Sequence, residues 1–229
     1  MLPKDVLIAA LEAIIAQGPF PNGDWILSSS KLQIATVDGD LTFAISLQSS
    51  SHNRSGCDVT CSPYWRIRSK HWESWVRKAK PSWRKGPGSS PFLGDYVRNF
   101  DAIGPGLGLQ TWTFPGSGPN QPSILAVTND LSHNVWPIFQ AAPQQEALAN
   151  LVAKTYALHV KPMMWGEYFV AIGRPDLAHY ILQSFLALSP SLAALFSLFK
   201  AELRAGRPLP NNLNSQAFQK AHELGLVEI

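Results

Sequence analysis

The chain has 229 residues, an apolar fraction of 45% and a formal net charge of +3. That length and composition suit one large domain, or two tightly joined small ones, with enough apolar surface to fold without disulfides. They also argue against a membrane span, because the most apolar early stretch, Val6 to Ala16, is short and carries Glu12, whereas a spanning helix needs ~20 apolar residues.

Residues 4–17 read as a helix, with Leu7, Leu11, Ile14 and Ile15 on one face and Gly18 and Pro19 ending it. Strands follow. Leu41, Phe43, Ile45 and Leu47 alternate with Thr42, Ala44, Ser46 and Gln48, the pattern of a half-buried strand. The run Leu32 to Val37 precedes it, and Asp38-Gly39 is the expected two-residue hairpin turn, since both residues tolerate positive φ. After a polar loop, Ser49 to Gly56, a third strand places Cys57, Val59, Cys61, Trp65 and Ile67 on one face. Asp58, Thr60, Tyr64, Arg66 and Arg68 fall on the other, provided Pro63 does not break the register.

Ser69 is placed to cap a helix through Ala79, with Trp72, Trp75 and Val76 on one face. Residues 80–92 and the Gly/Pro-rich stretch 104–122 read as loops, the latter enclosing a short strand from Leu109 to Phe114. From there the chain is helical, with expected helices at 123–134, 143–158, 162–172, 175–188, 191–204 and 214–224. Leu192, Leu195, Phe196, Phe199 and Leu203 make the clearest apolar stripe. The pair 162–190 has a tetratricopeptide-like spacing of Gly173, Ala178 and Pro190, but a lone repeat cannot bury its own faces, so an ordinary helical hairpin is the expectation.

The chemistry-bearing residues form no catalytic signature. Lys4 is followed at once by Asp5, unlike the start of a signal peptide, so the expected setting is the cytoplasm, with no membrane partner. Cys57 and Cys61 would lie roughly 13 Å apart along a strand at ~3.3 Å per residue, beyond the ~7 Å Cα separation a disulfide allows; two reduced, half-buried thiols are expected. His52, Cys57, Cys61 and His71 are spaced by five, four and ten residues, which does not match the paired ligands of a structural zinc site. Gly104-Pro105-Gly106-Leu107-Gly108 does not lie between a strand and a helix, as a dinucleotide loop requires, and no cofactor is expected. Arg66 and Arg68 could activate Cys61 but point to the opposite strand face. Glu146 sits in a first helical turn, and Glu167, between Trp165 and Tyr168, would have a raised pKa if half-buried without a partner.

The strongest anomaly is electrical. Residues 1–65 carry three Lys/Arg and six Asp/Glu, whereas residues 66–85 carry eight Lys/Arg and one Glu, and Trp65, Trp72, Trp75 and Trp83 are interleaved with these basic groups. Basic groups hold phosphates or acidic side chains, and tryptophan stacks on bases or anchors interfaces. Arg66, Arg68, Arg77, Lys78, Trp83, Arg84 and Lys85 are therefore candidate partner-binding residues, and Arg66, Arg68, Trp83, Arg84 and Lys85 are expected to be the most exposed.

One set of motifs carries a family resemblance. Phe43-Ala44-Ile45-Ser46-Leu47-Gln48-Ser49-Ser50, then His52-Asn53, Val59-Thr60, Ile67, Ser69 and Trp75, resembles an uncharacterised bacterial domain family. Trp136-Pro137-Ile138-Phe139 before a helix, and Tyr168 with Gly173 through Ala178, are similar to its C-terminal half. Genes of that family often sit beside those of secreted polymorphic toxins, and their products are suspected immunity proteins.

The expected fold is α+β: an antiparallel sheet of about four strands in residues 1–122 with an N-terminal helix, and a helical part, 123–229, packed on it or abutting the same core. The resemblance implies that the chain binds a cognate toxin, such as a nuclease, and occludes its active face. A nuclease is basic where it holds nucleic acid, so the contact would use either the acidic residues Asp24, Asp38, Asp40 and Asp58 or acidic residues of the toxin facing the basic segment. The alternative is a nucleic-acid-binding module using residues 66–85.

Overall fold

The computed structural model describes residues 1–18, 20–83, 90–98, 109–155 and 162–228. Helix α1 (Pro3–Ala16) starts on a proline, which needs no helical N–H there, and has Asp5 in its first turn. It buries Val6, Leu7, Ala10, Leu11 and Ile14 along one face.

The sheet is wholly antiparallel, in the order β1 (Ile26–Ser28), β2 (Gln33–Asp38), β3 (Leu41–Ser49), β4 (Val59–Ser69), β5 (Leu93–Tyr96), with β6 (Trp112–Phe114) also paired to β4. The α+β class is as expected, but the described sheet has six strands rather than about four. The two unexpected strands, β1 and β5, have only three and four residues, too few for an alternating pattern to announce them, whereas β6 lies within the strand expected from Leu109 to Phe114. The β2–β3 turn falls one residue later than expected. Asp38 pairs with Leu41, so Gly39 and Asp40 form the turn, and Gly39 supplies the positive φ of 58°.

Pro63 does not break β4. Its carbonyl accepts from Val97 N–H at 2.9 Å, on the side away from β3. The N–H and C=O of a strand residue point the same way, so the missing donor faces the gap between β5 and β6 and costs no β3 bond. Alternation therefore runs unbroken from Val59 to Ser69. At the loop end of this hairpin, Asn53 acts as a substitute strand residue. Its Oδ1 accepts from Thr60 N–H at 2.8 Å and its Nδ2 donates to Thr60 C=O at 2.6 Å.

The chain divides into two compact units: residues 1–70 with 90–148, and residues 71–89 with 149–229. A cut at residue 122 would assign two segments differently. Helices α3 (Gln121–Asn134) and α4 (Trp136–Ala141) belong to the sheet unit, and most of α2 (Lys70–Ala79) belongs to the helical one.

In the sheet unit the core lies on one face of the sheet. Phe139 of α4 sits among Phe43 (ring centroids 5.1 Å apart), Trp136 (5.7 Å), Trp25 (5.9 Å) and Trp65 (6.3 Å). The motif 136–139 is thus itself helical rather than a lead-in to a helix. Asn120 and Ser123 form a reciprocal capping box at the start of α3. Trp112 donates to Asp130 Oδ2 at 2.7 Å, fastening β6 to α3.

The helical unit contains most of α2, the end of α5 (Gln145–Lys154), α6 (Pro162–Ala171), α7 (Pro175–Leu188), α8 (Pro190–Arg204) and α9 (Leu213–Glu223). Helix α6 ends in a Schellman motif: Gly173 (φ 81°) N–H bonds Val170 C=O at 3.0 Å and Arg174 N–H bonds Phe169 C=O at 2.8 Å. The apolar stripe of α8 meets α9 through Phe218, whose ring lies 5.1 Å from Phe196 and 5.7 Å from Phe199. No single described helix is long and apolar enough to cross a membrane.

Candidate functional site on the outward sheet face

Helices α1, α3 and α4 cover one face of the sheet, and the opposite face is built in cross-strand rows. One row runs Val37, Thr42, Arg68. The next runs Ile26, Ala35, Ala44, Arg66, Gly94. A third runs Ser28, Gln33, Ser46, Tyr64, Tyr96. The period of two brings these residues to one surface, as the parity of Tyr64, Arg66 and Arg68 implies.

Arg66 lies flat across this face. One terminal nitrogen donates to Gln33 Oε1 at 2.5 Å and to Ser46 Oγ at 2.9 Å. Gly94 makes that pose possible: a Cβ there would come within 3.0 Å of Arg66 Cγ and 2.4 Å of Trp65 O. Tyr64 and Tyr96 meet edge to face at 5.3 Å, and Tyr96 donates to Gln48 Oε1 at 2.6 Å. Burial, followed by the charge of Asp95, pushes the Tyr64 phenol up to about 12, so it is neutral at physiological pH. Arg66 is therefore half-buried and engaged with neighbouring strands, not one of the most exposed groups. Arg68 is exposed.

At the β1–β2 edge the same face changes character. Ile26 is 73% exposed and Val37 61% exposed. With Asp24, Leu27, Ser28, Ala35 and Thr36 they line a hollow of ≈ 470 Å³. Asp24, Asp38 and Asp40 are all exposed at this end of the sheet, and Asp40 Oδ2 accepts from Ser69 Oγ at 2.5 Å. Asp58 is also exposed but precedes Val59, at the far end of β4, so the four acids do not form one group.

The basic segment spans both units, with Arg66 and Arg68 in the sheet unit and Arg77, Lys78 and Trp83 in the helical one. Arg77 and Lys78 are exposed in the last turn of α2, and Arg84 and Lys85 lie outside the described residues. Trp83, expected to face outward, is instead half-buried in the helical unit. It donates to Glu167 Oε2 at 3.1 Å. Trp72 donates to Glu167 Oε1 at 3.2 Å, and Lys220 pairs with Oε2 at 2.5 Å while lying 5.3 Å from the Trp83 ring centroid. Glu167 is fully buried. Trp72, Trp83 and Lys220 are among its partners where the sequence suggested none, and they come from distant parts of the chain. Two indole donors and an ammonium are what a buried carboxylate requires.

The cysteines differ from the expected matched pair. Both are free, but Cys57 lies before the strand and is exposed, whereas Cys61 is buried. Burial pushes the Cys61 thiol up to about 12, leaving no thiolate for nucleophilic chemistry at neutral pH. No group of three or more His, Cys, Asp or Glu able to hold a metal occurs among the described residues.

Ile26, Leu27, Val37 and Tyr96 were not nominated from sequence. For Val37 the available signal was an apolar residue on the polar parity of β2; for the other three, the strands concerned are too short to give one. No protein-family model, curated protein or solved structure matches the chain.

Proposed function

We propose that this chain is an immunity protein that binds a secreted bacterial toxin with a basic surface, such as a nuclease, and neutralises it by covering its active face. The observation that carries this reading is the β1–β2 edge, where exposed Ile26 and Val37 stand beside exposed Asp24, Asp38 and Asp40. An apolar centre with a charged rim is the usual composition of a protein interface, and acidic groups steer a basic partner into contact. Of the two surfaces open to an immunity protein of this sequence, the acidic one fits better, since Trp83 and Arg66 are already engaged within the fold.

The test begins by sequencing the genes beside this one: a secreted toxin encoded there is the partner to use, and the lack of one counts against the immunity reading. Calorimetry should give a 1:1 complex, and toxin activity should fall to zero as the chain is titrated in. The variant Asp24→Lys/Asp38→Lys should associate more slowly with an unchanged melting temperature. Wild-type binding by that variant would remove the acidic edge from consideration, and failure of the chain to bind or inhibit the toxin would end the immunity reading.

A second reading, nucleic-acid binding, is favoured by one observation: Tyr64, Tyr96, Arg66 and Arg68 share the outward face. Aromatic and basic side chains on an open sheet can hold single strands by stacking and phosphate contact. Binding of a labelled oligonucleotide that weakens steeply with salt, and is lost with Arg68→Glu, would support it over the immunity reading.

A further inference from the structure

We infer that the free side of β1 accepts an extended, basic and apolar segment of the partner toxin as an added strand, hydrogen-bonded to the backbone of Leu27. The inference rests on the immunity reading and specifies how that contact is made.

The register fixes where the open hydrogen-bonding groups lie. Leu47 N–H donates to Leu32 C=O at 2.8 Å, so Leu32 and Leu47 are a hydrogen-bonded pair. Hydrogen-bonded and non-bonded pairs alternate along an antiparallel ladder. Ile34 and Thr36 therefore also turn their backbone groups toward β3, and Gln33 and Ala35 turn theirs toward β1. Gln33 pairs with Ser28 and Ala35 with Ile26. Ile26 and Ser28 consequently bond to β2, and Leu27, between them, directs its N–H and C=O away from the sheet.

No described strand lies on that side, because β1 ends the strand order. Proteins blunt such an edge with lysine, proline, a bulge or a very short strand, and β1, at three residues, offers Leu27 as its one outward hydrogen-bonding position. Beside that position stand Ile26 and Val37, both β-branched and exposed, over a hollow of ≈ 470 Å³ that Leu27 also lines. Strand addition takes its affinity from main-chain bonds and its specificity from pockets for alternate side chains, and this edge offers both. The occupant's charge follows from complementarity: Asp24 lines the hollow and Asp38 and Asp40 stand at the same end, so basic side chains on the incoming strand are favoured.

Two measurements on the full chain with the adjacent toxin test this. First, residue-resolved amide exchange should show the Leu27 amide protected at least about tenfold more in the complex than in the free chain, as formation of a hydrogen bond requires. Second, Leu27→Ala and Leu27→Pro both remove the side chain, but only proline removes the outward donor, which β2 does not use. Leu27→Pro should bind at least about fivefold more weakly than Leu27→Ala, the effect of one interfacial hydrogen bond near 1 kcal/mol. If Leu27→Pro fails to fold, the exchange result decides alone. Unchanged Leu27 exchange in a formed complex, or equal binding by the two variants, overturns strand addition and leaves the immunity reading standing. A toxin that does not bind the wild-type chain overturns both.

Discussion

Trp83 donates its indole N–H to Glu167 Oε2 over 3.1 Å, joining a loop residue to a carboxylate 84 positions away. Trp72 and Lys220 bind the same carboxylate. The geometry converts a residue that looked like an interface anchor into part of the helical unit's core.

Removing one member of this cluster strands the others. Glu167→Ala leaves the Lys220 ammonium without its buried counter-charge and two indoles without their acceptor. It should destabilise the protein by about 3–5 kcal/mol, the range for breaking a buried pair. Urea unfolding monitored by tryptophan fluorescence measures it. A change below 1 kcal/mol would mean that the pair behaves like an exposed one.

The two thiols should be distinguishable by exposure. Alkylation of the native chain near pH 8 should add one label, on Cys57, and alkylation after denaturation without reductant should add two. Two labels in the native state would contradict the burial of Cys61, and one label in the denatured state would reveal a modified or bridged cysteine.

Alkali should destabilise the fold. The Cys61 thiol is raised from 9.0 to about 12 and the Tyr64 phenol from 10.0 to about 12, in both cases chiefly by burial. Folding thus favours their neutral forms. Their contribution is complete below pH 9 and is lost as pH rises toward 12. Melting temperatures measured from pH 8 upward should fall through this window. Cys61→Ala should fall less steeply than wild type, and a parallel decline would assign the loss to other groups.

The two faces of β3 should respond differently to truncation. Phe43 is fully buried against Phe139, so Phe43→Ala should cost about 3–5 kcal/mol. Thr42 lies half-buried on the outward face, and Thr42→Ala should cost less than about 1 kcal/mol. Equal midpoints in urea would reverse the assignment of the sheet faces.

Gly94→Ala should disturb the outward face without touching the helices. Its Cβ would fall 2.4 Å from Trp65 O and 3.0 Å from Arg66 Cγ, so strand β5 must shift and Arg66 must leave its pose. A loss of about 1–3 kcal/mol is expected, as for other overpacked sites. Unchanged stability would mean that β5 moves freely against β4.

The sequence alone determined the α+β class, the faces of β3 and β4, the strand containing β6, the helices α1 to α3 and α6 to α9, and the β2–β3 hairpin to within one residue. Each of these is written in local periods of 2 or 3.6 residues and in turn residues such as Gly39, and such signals need no distant partner. Parity also placed Arg66 and Arg68 together on the outward face. Tertiary structure decided the rest. Strands β1 and β5 exist because longer neighbours supply their hydrogen bonds, so the edge at Leu27 could not be read before the sheet was assembled. Trp83 turned inward because burying Glu167 without donors costs more than ordering a tryptophan, and those donors come from residues 72, 83 and 220, a convergence that no window along the chain contains.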